Sequence, residues 1–394
     1  MKKNIFIFLN DKLISLDTIV PILLELKSVN SELNLNFFVF KQKTLNTIKS
    51  NFFLYNITKE LGNISRFGPE SLDSFSFLRR LSACLLLLKL MIQGLFQKNV
   101  YIHFKALEDF PFSLLYYTNQ KNTYLFEANP LGQSKSFTKM RNIFNELPVN
   151  YEDFGHRKSM SAYSNLVSFS EDSFQLKSAK SLRKNILYLE PPRSGKKWLD
   201  FCTLKSKDFL SKHLELREKT KTKKIILYLL GELGHFAFVD NQTNGKMLFL
   251  ETLASLRKIE NAFIIIKPHP NVDLEELANL VQDSKMSNIE ISLMHPSVLA
   301  NYCQFAISNY FTFSLADAWL AGVHTIEFSS YRPELSRELK NTSIYPEYVD
   351  DFLQLTERDN FIKILNSNSK PKYRNFHAKI PRNDYQKLID LIVN

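Results

Sequence analysis

The sequence predicts an α/β protein built from two Rossmann-like domains, and three observations carry that prediction. Short apolar runs alternate with helical stretches from Asn4 to Leu189 and again from Lys224 to Phe328, the pattern of parallel sheets covered on both faces. Between the two series, Pro191-Pro192-Arg193-Ser194-Gly195 breaks any regular element. The length of 394 residues exceeds one ordinary core and suits two domains of about 200 residues each. The expected division is 1–192, a basic linker 193–223, a second domain 224–372 and a helical tail 373–394.

In the first series, strands are expected at Asn4–Leu9, Asn36–Phe40, Val100–Phe104, Thr123–Glu127, Asn165–Phe169 and Lys184–Leu189. Helices are expected at Leu16–Ser28, Lys43–Ser50, Leu81–Leu95 and Phe112–Thr118. The linker from Arg193 to Lys224 holds eleven Lys/Arg against four Asp/Glu, much of the net charge of +11, and Trp198–Glu218 reads as a helix within it. The second series gives strands Ile225–Leu230, Ala262–Ile266, Ile289–Leu293, Phe305–Ser308 and Thr325–Phe328. Its helices are Lys246–Ile259, Leu274–Ser284, Pro296–Tyr302 and Leu315–Ala321, with Gly322 closing the last as a C′ residue. Asp351–Ile364 and Asp384–Ile392 read as helical.

Composition excludes several classes. An apolar share of 44% with 23% charged residues is globular, not disordered. Cys84, Cys202 and Cys303 lie far apart without a CxxC, which argues against zinc or a disulfide scaffold and suits a reducing cytosol. Ile5–Leu9 is shorter than the roughly 7–15 residues of a secretory apolar core, so no signal peptide is expected. Ala83–Phe96, interrupted by Lys89 and Gln93, falls short of the roughly 20 residues of a membrane span. No helix-turn-helix, RNA-recognition or zinc-finger signature accompanies the basic balance, so nucleic acid is not an expected partner. The linker could instead hold an acidic glycan or lean on the anionic inner leaflet from the cytoplasmic side; a solvated face explains it equally.

The chemistry concentrates in Ile264–Pro270, IIIKPHP, and Ser308–Glu327, SNYFTFSLADAWLAGVHTIE. A β-branched run ending in Lys267-Pro268-His269-Pro270 holds an ammonium and an imidazole at the carboxyl end of a buried strand, where open α/β sheets place ligands. Ser308, Thr312 and Ser314 make a hydroxyl-rich turn before a short helix, a place where an anion meets free amides and a favourable dipole. Turn and N-cap chemistry would account for the hydroxyls, a strand-end histidine for His269 and dipole stabilisation for Asp317. Gly231-Glu232-Leu233-Gly234-His235, after the first strand of the second series, is either a tight connection or a loop whose glycines let backbone approach a ligand. His295-Pro296 reads as a helix start.

The KPHP segment resembles the HP motif of bacterial surface-polysaccharide glycosyltransferases of the GT-B fold. That group includes sialyl-, polysialyl- and Kdo-transferases, and teichoic acid glycerophosphotransferases are its relatives. The Ser308–Phe328 segment is similar to their downstream serine/threonine motif; the likeness spans Lys223 to Tyr331. The resemblance implies a GT-B architecture with the last helix crossing back to the first domain and a nucleotide sugar bound by the second. It implies a CMP-activated acidic sugar, Asp317 (and, more weakly, Glu327) on ribose hydroxyls, and a glycan or glycolipid acceptor. No cofactor or metal is expected, because no DxD-type pair is placed to hold one. A glycerophosphotransferase or UDP-hexosamine epimerase of the same fold, or a non-catalytic nucleotide- or carbohydrate-binding subunit, remain alternatives.

A base must take the acceptor proton. In the resembled family it belongs to a first-domain acidic-Gly motif; Phe126-Glu127-Ala128-Asn129-Pro130-Leu131-Gly132 matches it with one acid and a late glycine. Glu127 is therefore one choice, with Asp17 and Asp11, at the first β-α loop, as others. His103, Glu108 and Asp109 are further strand-end candidates.

Overall fold

The computed structural model of the chain describes residues 3–67, 76–108, 110–128, 140, 162–169, 174–234, 239–240, 243–367 and 383–393. They fall into two compact units, one formed by the described residues up to 128, from 162 to 198 and from 383 onward, the other by residue 140 and those from 199 to 367. Asp109, His235 and Asn129–Gly132 lie outside the described residues.

Unit 1 runs β1 (Asn4–Phe8), α1 (Leu13–Val29), β2 (Asn34–Val39), α2 (Gln42–Ser50), α3 (Phe52–Leu61), β3 (Gly62–Arg66), α4 (Ser76–Phe96) and β4 (Val100–His103). It continues with α5 (Leu114–Thr118), β5 (Thr123–Phe126), β6 (Asn165–Ser168), α6 (Phe174–Ser181) and β7 (Asn185–Tyr188). Among the described residues its sheet has seven parallel strands in the order β3-β2-β1-β4-β5-β6-β7. Central strands covered on both faces must be apolar throughout, and Ile5, Phe6, Ile7 and Phe8 are all buried. Phe6, Phe8, Phe38 and Tyr101 make one face, against which α4 packs Leu87 and Leu90. Helix α3 and strand β3 are not foreseen in the sequence. Strand β3 is an edge strand, GNISR, with alternating exposure and no apolar run to mark it.

The connecting segment folds into α7 (Lys196–Lys212) and α8 (Leu214–Thr222). Much of its charge is answered locally. Arg193 pairs with Asp17 at 2.6 Å, Lys197 with Glu25 at 2.7 Å, Lys219 with Glu215 at 2.6 Å and Lys221 with Glu218 at 2.8 Å.

Unit 2 runs β8 (Lys224–Leu230), α9 (Gly245–Leu256), β9 (Ala262–Pro268), α10 (Leu274–Asp283), β10 (Ile289–Ile291) and α11 (Pro296–Leu299). Then come β11 (Phe305–Ser308), α12 (Phe313–Leu320), β12 (His324–Ser329), α13 (Pro333–Glu338), β13 (Asp351–Gln354) and α14 (Arg358–Asn366). Its six described strands are parallel in the order β10-β9-β8-β11-β12-β13. Three expectations need correction. Asp351–Gln354 is not helical: it is the edge strand β13, and the helix starts at Arg358, after Glu357 has capped the Gln354 amide at 2.9 Å. Strand β9 runs on through Lys267 and Pro268, which pair with Leu229 and Leu230. Helix α12 begins at Phe313, so Asp317 stands in its second turn, buried, beyond the reach of the first-turn dipole effect. The end of α12 follows the expected Gly pattern. Gly322 has φ +85°, its amide donates to Trp319 O and the Val323 amide to Ala318 O, both at 3.0 Å, a Schellman closure.

The last helix, α15 (Tyr385–Val393), belongs to unit 1, as the resemblance implied. The Asp384 amide donates to Tyr188 O at 2.7 Å, and Leu388 and Ile392 are fully buried.

His103 ends β4 in complete burial, which pushes its pKa down to about 3. The unfolded imidazole titrates near 6.5, so the unfolded chain takes up the proton first. The stability tied to this neutral ring is complete above pH 6.5 and is lost as pH falls towards 3. Replacing His103 by Phe should flatten the fall in the urea midpoint between pH 6.5 and 4 that the parent shows; an identical acid limb in parent and variant would refute this.

Candidate functional site

In a sheet of this order the connections reverse direction between β8 and β11, and ligands sit beyond the carboxyl ends of the strands at such a reversal. The chain leaves β8 as Gly231–Gly234, β9 as His269–Asp273 and β11 as Asn309–Thr312, the segments that carry the unit 2 candidates. Leu229 pairs with Lys267 on one side and Ser308 on the other, which sets these two residues at one level of the sheet edge.

The turn after β9 orients His269. Its amide donates to Leu230 O at 2.9 Å, and its side chain remains 42% exposed. The Asn271 amide donates to Nδ1 at 3.2 Å, so the neutral ring carries its proton on Nε2 and offers a donor there. Asn271 Nδ2 also donates to Glu232 Oε1 at 2.7 Å, and Glu232 stands 3.7 Å from His269 Nδ1. Partial burial first, and the Lys267 charge, lower the His269 pKa against the opposing pull of Glu232. Lys267 is half-buried, and its Nζ donates to Pro268 O at 2.8 Å. Pro270 is exposed beside them. Asp273 accepts from the Glu275 and Glu276 amides and caps α10.

The glycine loop after β8 has a packing reason. A Cβ on Gly231 would stand 1.4 Å from the Tyr310 hydroxyl, so only glycine leaves room for that ring. The Tyr310 hydroxyl in turn hydrogen-bonds the Glu232 backbone. Leu233 O and Gly234 O accept from the Lys246 and Gly245 amides at 3.0 and 2.8 Å, and Asn244 caps Met247. The first amides of α9 are thus occupied by the loop itself, while Gly234 has open space where a Cβ would stand.

The hydroxyl turn divides its roles. The Ser308 hydroxyl is buried and donates to Tyr310 O. Thr312 caps α12, accepting from the Leu315 amide at 3.2 Å. Ser314, half-buried, lies in the first turn, and among the described residues the Phe313 and Ser314 amides have no hydrogen-bond partner. Sequence reasoning missed Asn309, which is buried: Nδ2 donates to Thr252 Oγ1 at 2.7 Å and Phe328 O at 3.0 Å, and Oδ1 accepts from the Tyr228 hydroxyl. An amide directly after a buried strand at the reversal was the available signal. Asn271 was missed likewise. Glu327 is fully buried; the Ser343 hydroxyl donates to it at 2.6 Å and the Tyr331 hydroxyl also donates. Burial pushes its pKa up to about 7. His295 caps α11, accepting from the Ser297 amide at 3.2 Å.

In unit 1 the three carboxylates stand apart in character. Glu127 follows β5 and is buried; Ser168 Oγ donates to its Oε2 at 2.8 Å and the Phe169 amide at 3.2 Å, tying the ends of β5 and β6. Asp17 forms an ion pair with the buried Arg193 at 2.6 Å. Asp11 is 47% exposed at the β1 exit, beside the reversal between β1 and β4, paired with Lys41 and accepting from Thr44 Oγ1 at 3.2 Å. His103 is sealed, and Glu108 adds to the field that raises the Tyr163 pKa to about 12, behind burial. Among the described residues no three His, Cys, Asp or Glu side chains converge as a metal site would require.

No protein-family model matches the sequence, and no curated protein sequence matches it. Solved structures match in fold. The UDP-GlcNAc 2-epimerase from Neisseria meningitidis bound to UDP-GlcNAc is 14% identical, with TM-score 0.55 and 99% of each chain covered. The UDP-GlcNAc 2-epimerase from Methanocaldococcus jannaschii is 14% identical, with TM-score 0.52, covering 100% of this chain and 99% of that one. The S. aureus MnaA–UDP co-structure is 13% identical, with TM-score 0.52, covering 100% of this chain and 98% of that one. At such identities the likeness is one of fold: two Rossmann-like α/β domains of the GT-B-like type.

Proposed function

We propose that the chain is a nucleotide-sugar-dependent glycosyltransferase that moves a CMP-activated acidic sugar, sialic-acid-like or Kdo-like, to a cell-surface glycan or glycolipid. One observation carries the reading: a partly exposed imidazole at the carboxyl end of β9, its Nδ1 occupied by Asn271, presents an Nε2 donor beside Lys267 at the strand-order reversal. These two groups and the Phe313 and Ser314 amides of α12 suit the phosphate of a nucleotide, with Ser314, Glu232 and the Gly231–Gly234 loop nearby in the chain's topology. Helix dipole, ammonium and imidazole would neutralise the leaving phosphate in place of a metal. The CMP donor rests on the KPHP and serine/threonine segments. Of the carboxylates, Asp11 has the exposure that a base for a bulky acceptor needs, and Glu127 is its rival.

A second reading is a UDP-hexosamine epimerase, favoured by the fold shared with UDP-GlcNAc 2-epimerases. Calorimetric titration with CMP, UDP and CDP-glycerol tells the donors apart, and release of free nucleotide from donor plus acceptor tells a transferase from an epimerase or a binding subunit.

His269→Ala should weaken nucleotide binding by roughly 1.5–3 kcal/mol, the range for a hydrogen bond to a charged group, with thermal stability unchanged. Because the free imidazole has a lowered pKa and a bound phosphate favours its cation, parental affinity should rise as pH falls below 7. The variant should lose that slope. Equal affinity in parent and variant sinks the His269 assignment.

Turnover should persist in excess chelator. Activity abolished by chelator and restored by magnesium or manganese would show that the phosphate needs a metal.

Asp11→Asn and Glu127→Gln test the base. Whichever removes the acceptor proton should lose about 10²–10⁴ in turnover with nucleotide binding intact. Gln at 127 can keep the Ser168 and Phe169 hydrogen bonds through its carbonyl oxygen. Asp17→Asn should instead lose stability, by weakening its buried ion pair with Arg193. If both Asp11→Asn and Glu127→Gln keep more than about a tenth of parental turnover, neither carboxylate is the base.

A further inference from the structure

Helix α4 has two apolar faces, and among the described residues only one of them is covered. Leu87 and Leu90 are buried against the unit 1 sheet, and the Tyr101 hydroxyl donates to Leu90 O at 2.9 Å. On the other side Leu81, Leu85, Leu88, Ile92 and Leu95 are all exposed, Leu85 by 58% and Leu95 by 67%, and Phe96 follows at 82%. Their spacing of four and three residues sets them in one stripe along the helix. Single exposed apolar residues need no explanation, but a continuous stripe marks a contact surface.

The charge around the stripe selects what covers it. From Ser74 to Leu107 the chain has no Asp or Glu, yet it carries Arg79, Arg80, Lys89, Lys98 and Lys105. Arg80, Lys89 and Lys98 are exposed, and helical geometry puts Arg80 and Lys89 on opposite flanks of the stripe. Lys3 stands close enough to Lys98 for the two charges to repel. A second copy packed through the same stripe would bring cation against cation, and the stretch from Ser74 to Leu107 has no carboxylate of its own to answer it. An anionic surface answers both the charge and the apolar face. Among the described residues no helix is long and apolar enough to cross a membrane. An apolar stripe with basic flanks is the form of a helix that lies in the headgroup layer, its cations reaching back to lipid phosphates.

We propose that α4 is the membrane-docking element of unit 1, seating Leu81, Leu85, Leu88, Ile92, Leu95 and Phe96 in the interface of an anionic bilayer. The inference stands apart from the donor reading and moves the lipid contact away from the linker, four of whose cations meet carboxylates within the protein. It would keep unit 1 beside substrates carried on lipid.

Co-sedimentation of the full chain with vesicles tests it. The parent should bind vesicles of equal parts phosphatidylglycerol and phosphatidylcholine, bind pure phosphatidylcholine poorly, and release at high salt. The double variant Leu85→Glu/Leu88→Glu should lose about tenfold or more in binding to the anionic vesicles. Lys89→Glu should lose about fivefold or more. Both changes fall on exposed positions, and unchanged thermal unfolding checks that the fold is intact. Failure of the parent to bind anionic vesicles overturns the proposal, as does a double variant that binds as the parent does. A parent that is dimeric by sedimentation velocity, and that the double variant turns monomeric without any lipid binding, assigns the stripe to a second copy instead.

Discussion

The buried side chain of Asn309 holds the carboxyl edge of unit 2 together. One amide bridges three elements: it accepts from Tyr228 of β8, and it donates to Thr252 of α9 and to the backbone of β12 at Phe328. Each of these groups is buried, and leaving one unsatisfied costs about 1–3 kcal/mol. The residue that follows, Tyr310, is thereby aimed over Gly231, where only a glycine fits. Thr312 then starts α12 in a fixed direction. The position of the free amides of α12 relative to the exits of β8 and β9 is therefore a consequence of core satisfaction, not of the exposed residues that would meet a ligand.

That hierarchy explains what was legible in the sequence. Strand–helix alternation and the Gly322 stop follow from local rules, and the structure keeps them. The errors fall where local rules conflict. Strand β13 reads as helical because DFLQ has only a four-residue window beside a true helix, and pairing with β12 overrides propensity. Strand β3 has a half-polar pattern because it forms an edge. Among the site residues, the type of group was readable and its state was not. Ser308 and Thr312 are both hydroxyls in a turn, yet one is sealed under a carbonyl and the other caps a helix. Only tertiary packing separates them. Asn271 and Asn309 are easily passed over because an asparagine in a loop is ordinarily turn chemistry, although the position of Asn309 directly after a buried strand was a signal.

The same distinction applies to charge. The linker's eleven cations stand out in the sequence, but four of them meet carboxylates at 2.6–2.8 Å. The cations of α4 and its flanks are fewer and more scattered, yet no acidic residue lies between Ser74 and Leu107 to answer them locally. Charge density along a chain is a poor guide to field at a surface, because neighbouring carboxylates cancel within a Debye length.

The carboxylates of unit 2 complete the electrostatic picture at its sheet edge. Several acids lie near the strand exits, and an anionic ligand would be repelled by any that faced it ionised; Asp273 is exposed at the β9 exit, where it caps α10. Glu327 is enclosed by hydroxyl donors, and with its pKa raised to about 7 it carries much less charge near neutrality than an ordinary glutamate. Asp317 is buried in the second turn of α12. Glu232, also exposed, engages Asn271 and stands on the Nδ1 side of His269, away from the nitrogen that carries the proton. What the edge offers outward is then an imidazole N–H, the Lys267 ammonium and two helix amides. With donors predominating over ionised acids, such an edge suits the proposed phosphate binding without a cation brought in to reverse its sign.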